Sequence, residues 1–203
     1  MDNDIEASLQ RLLTEVRACR VCADALPFEP RPVIRCAASA RLLIVGQAPG
    51  LRVHETGLPW NDPSGERLRA WMDVDRETFY EESHVAIIPI GYCYPGRGAR
   101  GDEPPRKECA ELWLPRLLAH VPNLRLTLLV GRYAQRHFLR DRAKPTLTET
   151  VRAWREYLPE FLPLPHPSAR NQYWLAKNPW FEAEVVPALR ENVCRILRVG
   201  RPT

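Results

Sequence analysis

Arg41-Leu42-Leu43-Ile44-Val45-Gly46-Gln47-Ala48-Pro49-Gly50 is the stretch that decides the fold. Its first five residues form a short run with no alternation of apolar and polar side chains. That is the pattern of a strand buried on both faces of a parallel sheet. Gly46 lets the chain leave the strand tightly, and the backbone N–H groups of the loop that follows can bind an anion or a carbonyl oxygen. The loop lacks the Lys-Ser or Lys-Thr of a phosphate-binding P-loop, and it is not a dinucleotide fingerprint.

Working outward, further buried strands are predicted at Val85 to Ile90, Leu124 to Val130 and Phe161 to Leu164. Helices are predicted at Ile5 to Ala18, Ser64 to Met72 (capped by Ser64), Arg106 to His120, Arg132 to Leu139 and Thr148 to Tyr157. A closing helix is predicted at Pro179 to Leu197, with its proline in the first turn. Alternating strands and helices imply an α/β fold. The expectation is a three-layer α/β/α domain around a central, mainly parallel four-stranded sheet, with ligands beyond the carboxyl ends of the strands.

The 203 residues suit one domain spanning 1–203. The formal charge of +4 permits a polyanionic partner without demanding one. No apolar run reaches the length of a membrane span, and the acidic, amphipathic N-terminus lacks the pattern of a secretory signal. A cytoplasmic protein is expected. With 20 prolines against 10 glycines, many loops should be stiff.

In that compartment the six cysteines are not expected to form disulfides. Cys19 and Cys22 form a C-x2-C pair, and Cys93 and Cys109 follow with fifteen residues between them. Four such thiolates can close a tetrahedral zinc site or hold a [4Fe–4S] cluster. The isolated Cys36 and Cys194 read as packing residues. Two further segments fall near strand ends: His54-Glu55-Thr56-Gly57-Leu58-Pro59-Trp60-Asn61-Asp62-Pro63-Ser64-Gly65 and Pro165-His166-Pro167-Ser168-Ala169-Arg170-Asn171.

Taken together these segments resemble the uracil-DNA glycosylase superfamily, most closely its iron–sulfur branch, family four. That branch reads C-x2-C, then G-E-A-P-G, then G-R-P-F. The equivalents here are Cys19 and Cys22, Gly46 to Gly50, and Gly57-Leu58-Pro59-Trp60. Its third and fourth cluster cysteines have a spacing similar to that of Cys93 and Cys109. Its Leu-Gly-Arg-Phe-Ala appears as Val130-Gly131-Arg132-Tyr133-Ala134, and its His-Pro-x motif as His166-Pro167-Ser168. Three positions depart from the pattern. Gln47 replaces the motif glutamate, Ala48 stands where the classical branch has its catalytic aspartate, and Pro89 stands where family four reads the uracil edge with asparagine.

The resemblance implies a monofunctional DNA glycosylase of base excision repair. It would flip uracil or a related deaminated base out of DNA and hydrolyse the N-glycosidic bond. A [4Fe–4S] cluster on Cys19, Cys22, Cys93 and Cys109 is implied, with structural zinc as the alternative. Gly46, Gln47, Ala48, Trp60 and Pro89 would surround the flipped base, with Trp60 stacking on its ring. His166 would donate to the developing oxyanion. Asp62 lies in a segment like the Asp-x-Ser-Gly of family five and is the first candidate for general base; Glu55 is second and His54 third. Ser168, Ala169, Arg170 and Asn171 would enter the minor groove of DNA. Arg97, Arg100, Arg106 and Lys107 would bind its backbone. The protein is expected to act as a monomer. Plainer roles stand beside these: Trp60 as core, Asp62 as a helix cap, the arginines as a solvated loop. The alternatives in function are a non-catalytic, damage-binding member and a glycosylase for hypoxanthine or xanthine.

Overall fold

A computed structural model describes residues 2–99 and 101–198. The N-terminal helix α1 (Asp2–Arg17) leads through an extended segment into strand β1 (Leu42–Val45). Helices α2 (Leu51–Thr56), α3 (Pro63–Met72) and α4 (Arg76–Tyr80) precede β2 (Val85–Ile87). A short antiparallel hairpin, β3 (Arg97–Gly98) with β4 (Gly101–Asp102), is followed by α5 (Lys107–Leu112), α6 (Leu114–Ala119) and β5 (Leu126–Val130). Then come α7 (Arg132–Leu139), α8 (Leu147–Arg152), β6 (Phe161–Leu164), α9 (Gln172–Lys177) and α10 (Val186–Arg198).

Among the described residues the main sheet has four strands in the order β2-β1-β5-β6, and every neighbouring pair is parallel. Both faces are covered, which explains the unbroken apolar runs. Leu43 and Val45 of β1 join a core with α1, α5, α6 and α7; Leu42 and Ile44 join a second core with α3, α4 and α10. This is the expected three-layer α/β/α arrangement.

The chain steps from β1 to β2 on one side, then crosses back to β5 on the other. The loops after β1 and β5 therefore diverge and leave a crevice between them, where ligands bind in sheets of this kind.

Several boundaries differ from the sequence reading for identifiable reasons. Asp62, not Ser64, caps α3: its Oδ1 accepts the N–H of Gly65 at 2.8 Å. The single helix expected over 106–120 breaks at Trp113, because Pro115 has no N–H and its ring would meet the carbonyl of Glu111. The expected strand to Ile90 ends at Ile87, two residues before Pro89. The predicted helix over 148–157 becomes α8 plus a 3-10 turn at Trp154–Glu156. The closing segment begins with a π-helical turn, Phe181–Val185, just before Pro187, so Pro179 does not open an α-helix. π-Turns of this kind accommodate a missing helical hydrogen bond.

Candidate functional site

The loop Gly46 to Gly50 is the floor of the site. It is pinned on one side by the segment after β2: Ile90 N–H donates to the Gly46 carbonyl at 3.0 Å, and Gly91 N–H to the Gln47 carbonyl at 2.9 Å. Pro89 is buried between them and offers no side-chain donor.

Trp60 lies directly over the start of this floor. A β-carbon on Gly46 would approach its Cζ2 to 2.8 Å, so only glycine admits the indole. Trp60 reaches that position with φ of 56°, in the left-handed region that a bulky residue rarely adopts. Its neighbours hold it there. The Tyr80 hydroxyl donates to the Pro59 carbonyl at 2.7 Å, and Arg69 Nη1 donates to the Trp60 carbonyl at 3.3 Å. Gly65, in the first turn of α3, packs so closely that any β-carbon would collide with the Trp60 carbonyl oxygen. The Asp62-Pro63-Ser64-Gly65 segment thus shapes the turn as well as capping the helix.

His166 stands beside the indole, with ring centroids 5.6 Å apart. It follows β6, whose end is secured by buried Gln135: the Gln135 amide donates to the carbonyls of Leu129 (3.3 Å) and Leu164 (2.8 Å). Gly131 packs beside the histidine at φ of 86°, a backbone that favours glycine; a β-carbon there would make ordinary contact, 3.6 Å, with that of His166. Asn171 Nδ2 donates to the His166 carbonyl at 2.7 Å, and Ser168 N–H donates to Nδ1 at 3.3 Å. Burial pushes the His166 pKa below the ordinary 6.5, against an opposing pull from the Asp62 charge. The ring is therefore neutral at pH 7, and with Nδ1 accepting it carries its proton on Nε2.

The hairpin β3–β4 closes the other end of the floor, a contribution not foreseen in the sequence. Gln47 Nε2 donates to the Glu103 carbonyl at 3.3 Å, and Asp102 Oδ2 lies 3.7 Å from the place a Gly50 β-carbon would take. The Arg170 guanidinium lies against Gly101. Asp102 is exposed on the hairpin, and partial desolvation raises its carboxyl above the usual range; Arg170 and Arg97 oppose this, and the Asp62 charge adds to it. No motif marked Asp102, because its place depends on how the hairpin folds back.

The remaining candidates are placed differently. His54 stacks on Phe28 at 5.2 Å between centroids and lies near Tyr94, so its ring joins an aromatic group rather than Trp60 and His166. Glu55 is exposed on α2. Arg31 donates to the carbonyls of both His54 and Glu55, at 2.7 and 2.8 Å, satisfying the end of that helix. Ser168, Ala169 and Arg170 lie on the loop beside His166, where the Ser168 carbonyl meets Arg67 Nη1 at 3.5 Å. Of the basic group, Arg97 is exposed on the hairpin and Lys107 on α5, Arg106 pairs with Glu108, and Arg100 lies outside the described residues.

Cys19, Cys22, Cys93 and Cys109 line one small cavity, although they come from three separate parts of the chain. Tyr92 N–H donates to Cys109 Sγ at 3.4 Å. As free thiols Cys93 and Cys109 are hard to ionise: burial pushes Cys93 up to about 11 and Cys109 up to about 12. Among the described residues no group of three or more His, Cys, Asp or Glu side chains converges as the ligands of a metal ion would. The same cavity is lined by Tyr92 and Trp113, whose hydroxyl and Nε1 are buried without a hydrogen-bond partner. Four thiols with two unanswered donors around one cavity fit a sulfur-rich, anionic group that accepts hydrogen bonds. Cys36 is buried in the core, as expected of a packing residue.

Residues 34–190 match the family model of the uracil DNA glycosylase superfamily, and the chain belongs to that superfamily. Among solved structures it is similar to the solution structure of a "putative Uracil DNA glycosylase" from Methanosarcina acetivorans, at 16% identity and a TM-score of 0.47, covering 77% of this chain and 93% of that one. It is also similar to wild-type SMUG2 from Pedobacter heparinus, at 17% identity and a TM-score of 0.42, covering 75% of this chain and 76% of that one. Among the described residues no helix is long and apolar enough to cross a membrane.

Proposed function

We propose that this protein is a monofunctional DNA glycosylase that flips uracil or a related deaminated base out of DNA and hydrolyses its N-glycosidic bond. It would act as a cytoplasmic monomer of one domain in base excision repair. The observation that carries this reading is His166 beside Trp60 and above the glycine-lined loop, its Nδ1 accepting from Ser168 N–H, which leaves Nε2 to carry the proton of the neutral ring. A neutral donor suits an anion that forms only as the bond breaks. It stabilises that charge without having bound a charged ground state.

In this mechanism the flipped base stacks on Trp60. The backbone of Gln47 and Ala48 bonds its edge, and His166 Nε2–H donates to the oxyanion left on the departing base. The sugar becomes oxocarbenium-like, and the Asp62 carboxylate stabilises its positive charge. The Asp62 charge already acts on His166 and on Asp102. Ser168, Ala169, Arg170 and Asn171 would enter the minor groove and fill the gap left by the base. Cys19, Cys22, Cys93 and Cys109 would hold a [4Fe–4S] cluster that ties the N-terminal segment to the sheet. The resemblance to the iron–sulfur branch favours the cluster, with structural zinc on the same four thiolates as the alternative.

Pro89 favours a second reading within the same chemistry, excision of hypoxanthine or xanthine. It places no side-chain hydrogen-bonding group where one would select uracil. The test uses anaerobically purified protein and labelled oligonucleotides carrying uracil, hypoxanthine, xanthine or thymine, in single and double strands, with abasic sites revealed by alkali. Cleavage at uracil supports the first reading, and cleavage confined to a purine supports the second. DNA binding without cleavage of any base would leave a damage-binding protein instead.

A further inference from the structure

The loop that floors the site has no carboxylate of its own: its residues are Gly46, Gln47, Ala48, Pro49 and Gly50. Asp62 has one carboxylate oxygen committed to the N–H of Gly65 at the start of α3. Its second oxygen stays available to act on the sugar, and a further carboxylate, from another element, can take the proton from water. The β3–β4 hairpin provides it. The hairpin is tied to the floor by Gln47, whose amide donates to the Glu103 carbonyl at 3.3 Å, and is held together by Glu103 N–H donating to the Gly96 carbonyl at 2.9 Å. Asp102 Oδ2 then lies over Gly50, as the Trp60 ring lies over Gly46. Three residues separate these glycines, a span of at most roughly 14 Å for extended chain. The two side chains bracket the loop.

We propose that Asp102 is the general base of this site, the carboxylate that activates water against the sugar of a base stacked on Trp60. This rests on the glycosylase reading above and adds a catalytic residue to it.

The groups facing Asp102 fit that task. Arg170 and Arg97 act on it as cations, Asp62 as an anion, and Tyr94 lies within its field. Asp102 is exposed to the solvent from which the water comes, and partial desolvation, with the Asp62 charge, raises its carboxyl above the usual range, which makes the ionised form a stronger base. In the step itself, the water oxygen bonds to C1′ while its proton passes to Asp102. The C1′–N bond breaks, and its electron pair leaves on the base, where His166 Nε2–H meets the oxyanion. Solvent protonates the released base, and Asp102 returns its proton to solvent.

The test is single-turnover excision by the full-length protein on whichever oligonucleotide the wild type cleaves. Wild type, Asp102→Asn, Asp102→Glu and Asp62→Asn are compared. Binding to DNA with an uncleavable abasic analogue is measured alongside. Asp102→Asn should slow cleavage by ~10²–10⁴-fold, the usual range for a general base, with DNA affinity within about threefold of wild type. It should also abolish the acid limb of the rate–pH profile, and Asp102→Glu should restore part of the rate. The proposal is overturned if Asp102→Asn cleaves within about threefold of wild type, if its loss of rate follows a loss of DNA binding, or if Asp62→Asn alone removes the acid limb. A wild type inactive on every base would instead overturn the glycosylase reading on which the proposal stands. An active wild type with an active Asp102→Asn would overturn the proposal alone.

Discussion

The backbone N–H of Ser168 donates to Nδ1 of His166 across 3.3 Å, and this bond decides which ring nitrogen carries the proton. The two residues are separated only by Pro167, whose fixed φ helps set the tight turn that brings the N–H back to the ring.

His166 should make stability sensitive to acid. Its pKa in the folded protein lies below the ordinary 6.5, because burial disfavours the charged ring. Between those two values the unfolded chain binds the proton and the folded chain does not. Stability is therefore complete above pH 6.5 and declines as the pH falls toward the folded value. His166→Asn should reduce single-turnover excision by ~10²–10³-fold. Its melting temperature should also fall less than that of wild type between pH 7.5 and 5.5. Equal acid shifts in the two proteins would refute the assignment of a buried neutral ring.

Asp62 can be separated into cap and charge. Asn caps a helix about as well as Asp, whereas Ala costs ~1 kcal/mol, or about 2–4 °C in melting temperature for a chain of this size. Asp62→Asn should melt near wild type and excise more slowly; Asp62→Ala should lose both stability and rate. An Asp62→Asn variant with unchanged excision would leave Asp62 as a cap alone.

Gly46 and Gly50 should respond differently to alanine. A methyl on Gly46 would meet the Trp60 ring at 2.8 Å, while one on Gly50 would rest at an ordinary 3.7 Å from Asp102. Gly46→Ala should cost ~1–3 kcal/mol by overpacking and displace the indole, with loss of excision. Gly50→Ala should melt near wild type. Thermal melts and excision assays of the pair check this, and equal tolerance at the two sites would contradict the bracketed loop.

The four cavity cysteines should govern iron content. Replacing Cys19, Cys22, Cys93 or Cys109 by serine should remove iron and acid-labile sulfide from anaerobically purified protein, whereas Cys194→Ser should retain both. Zinc in place of iron in the wild type would return the site to its alternative. Metal analysis with visible absorption reads the outcome directly.

Much of the fold was legible in the amino-acid sequence because it depends on local pattern. Leu42 to Val45 and Phe161 to Leu164 are strands because every residue is apolar and both faces are covered. Arg132 to Leu139 is a helix with the predicted ends, entered through a glycine at φ of 86°. The breaks at Trp113 and before Pro187 escaped notice because a proline acts on a carbonyl one turn earlier. The site was legible only in part. Trp60, Asp62 and His166 were marked by motifs, and the structure brings them together. His54 and Glu55 share their segment but project elsewhere. What the sequence by itself determined is the layered sheet and the loops at its carboxyl edge, since apolar periodicity and turn chemistry act over a few residues. Only the tertiary structure decided that Trp60 takes a left-handed backbone over Gly46, that His166 meets it from 106 residues away, and that the hairpin carries Asp102 to Gly50. Those arrangements arise from packing between distant segments, where the strain at one residue is balanced by contacts that no local pattern contains.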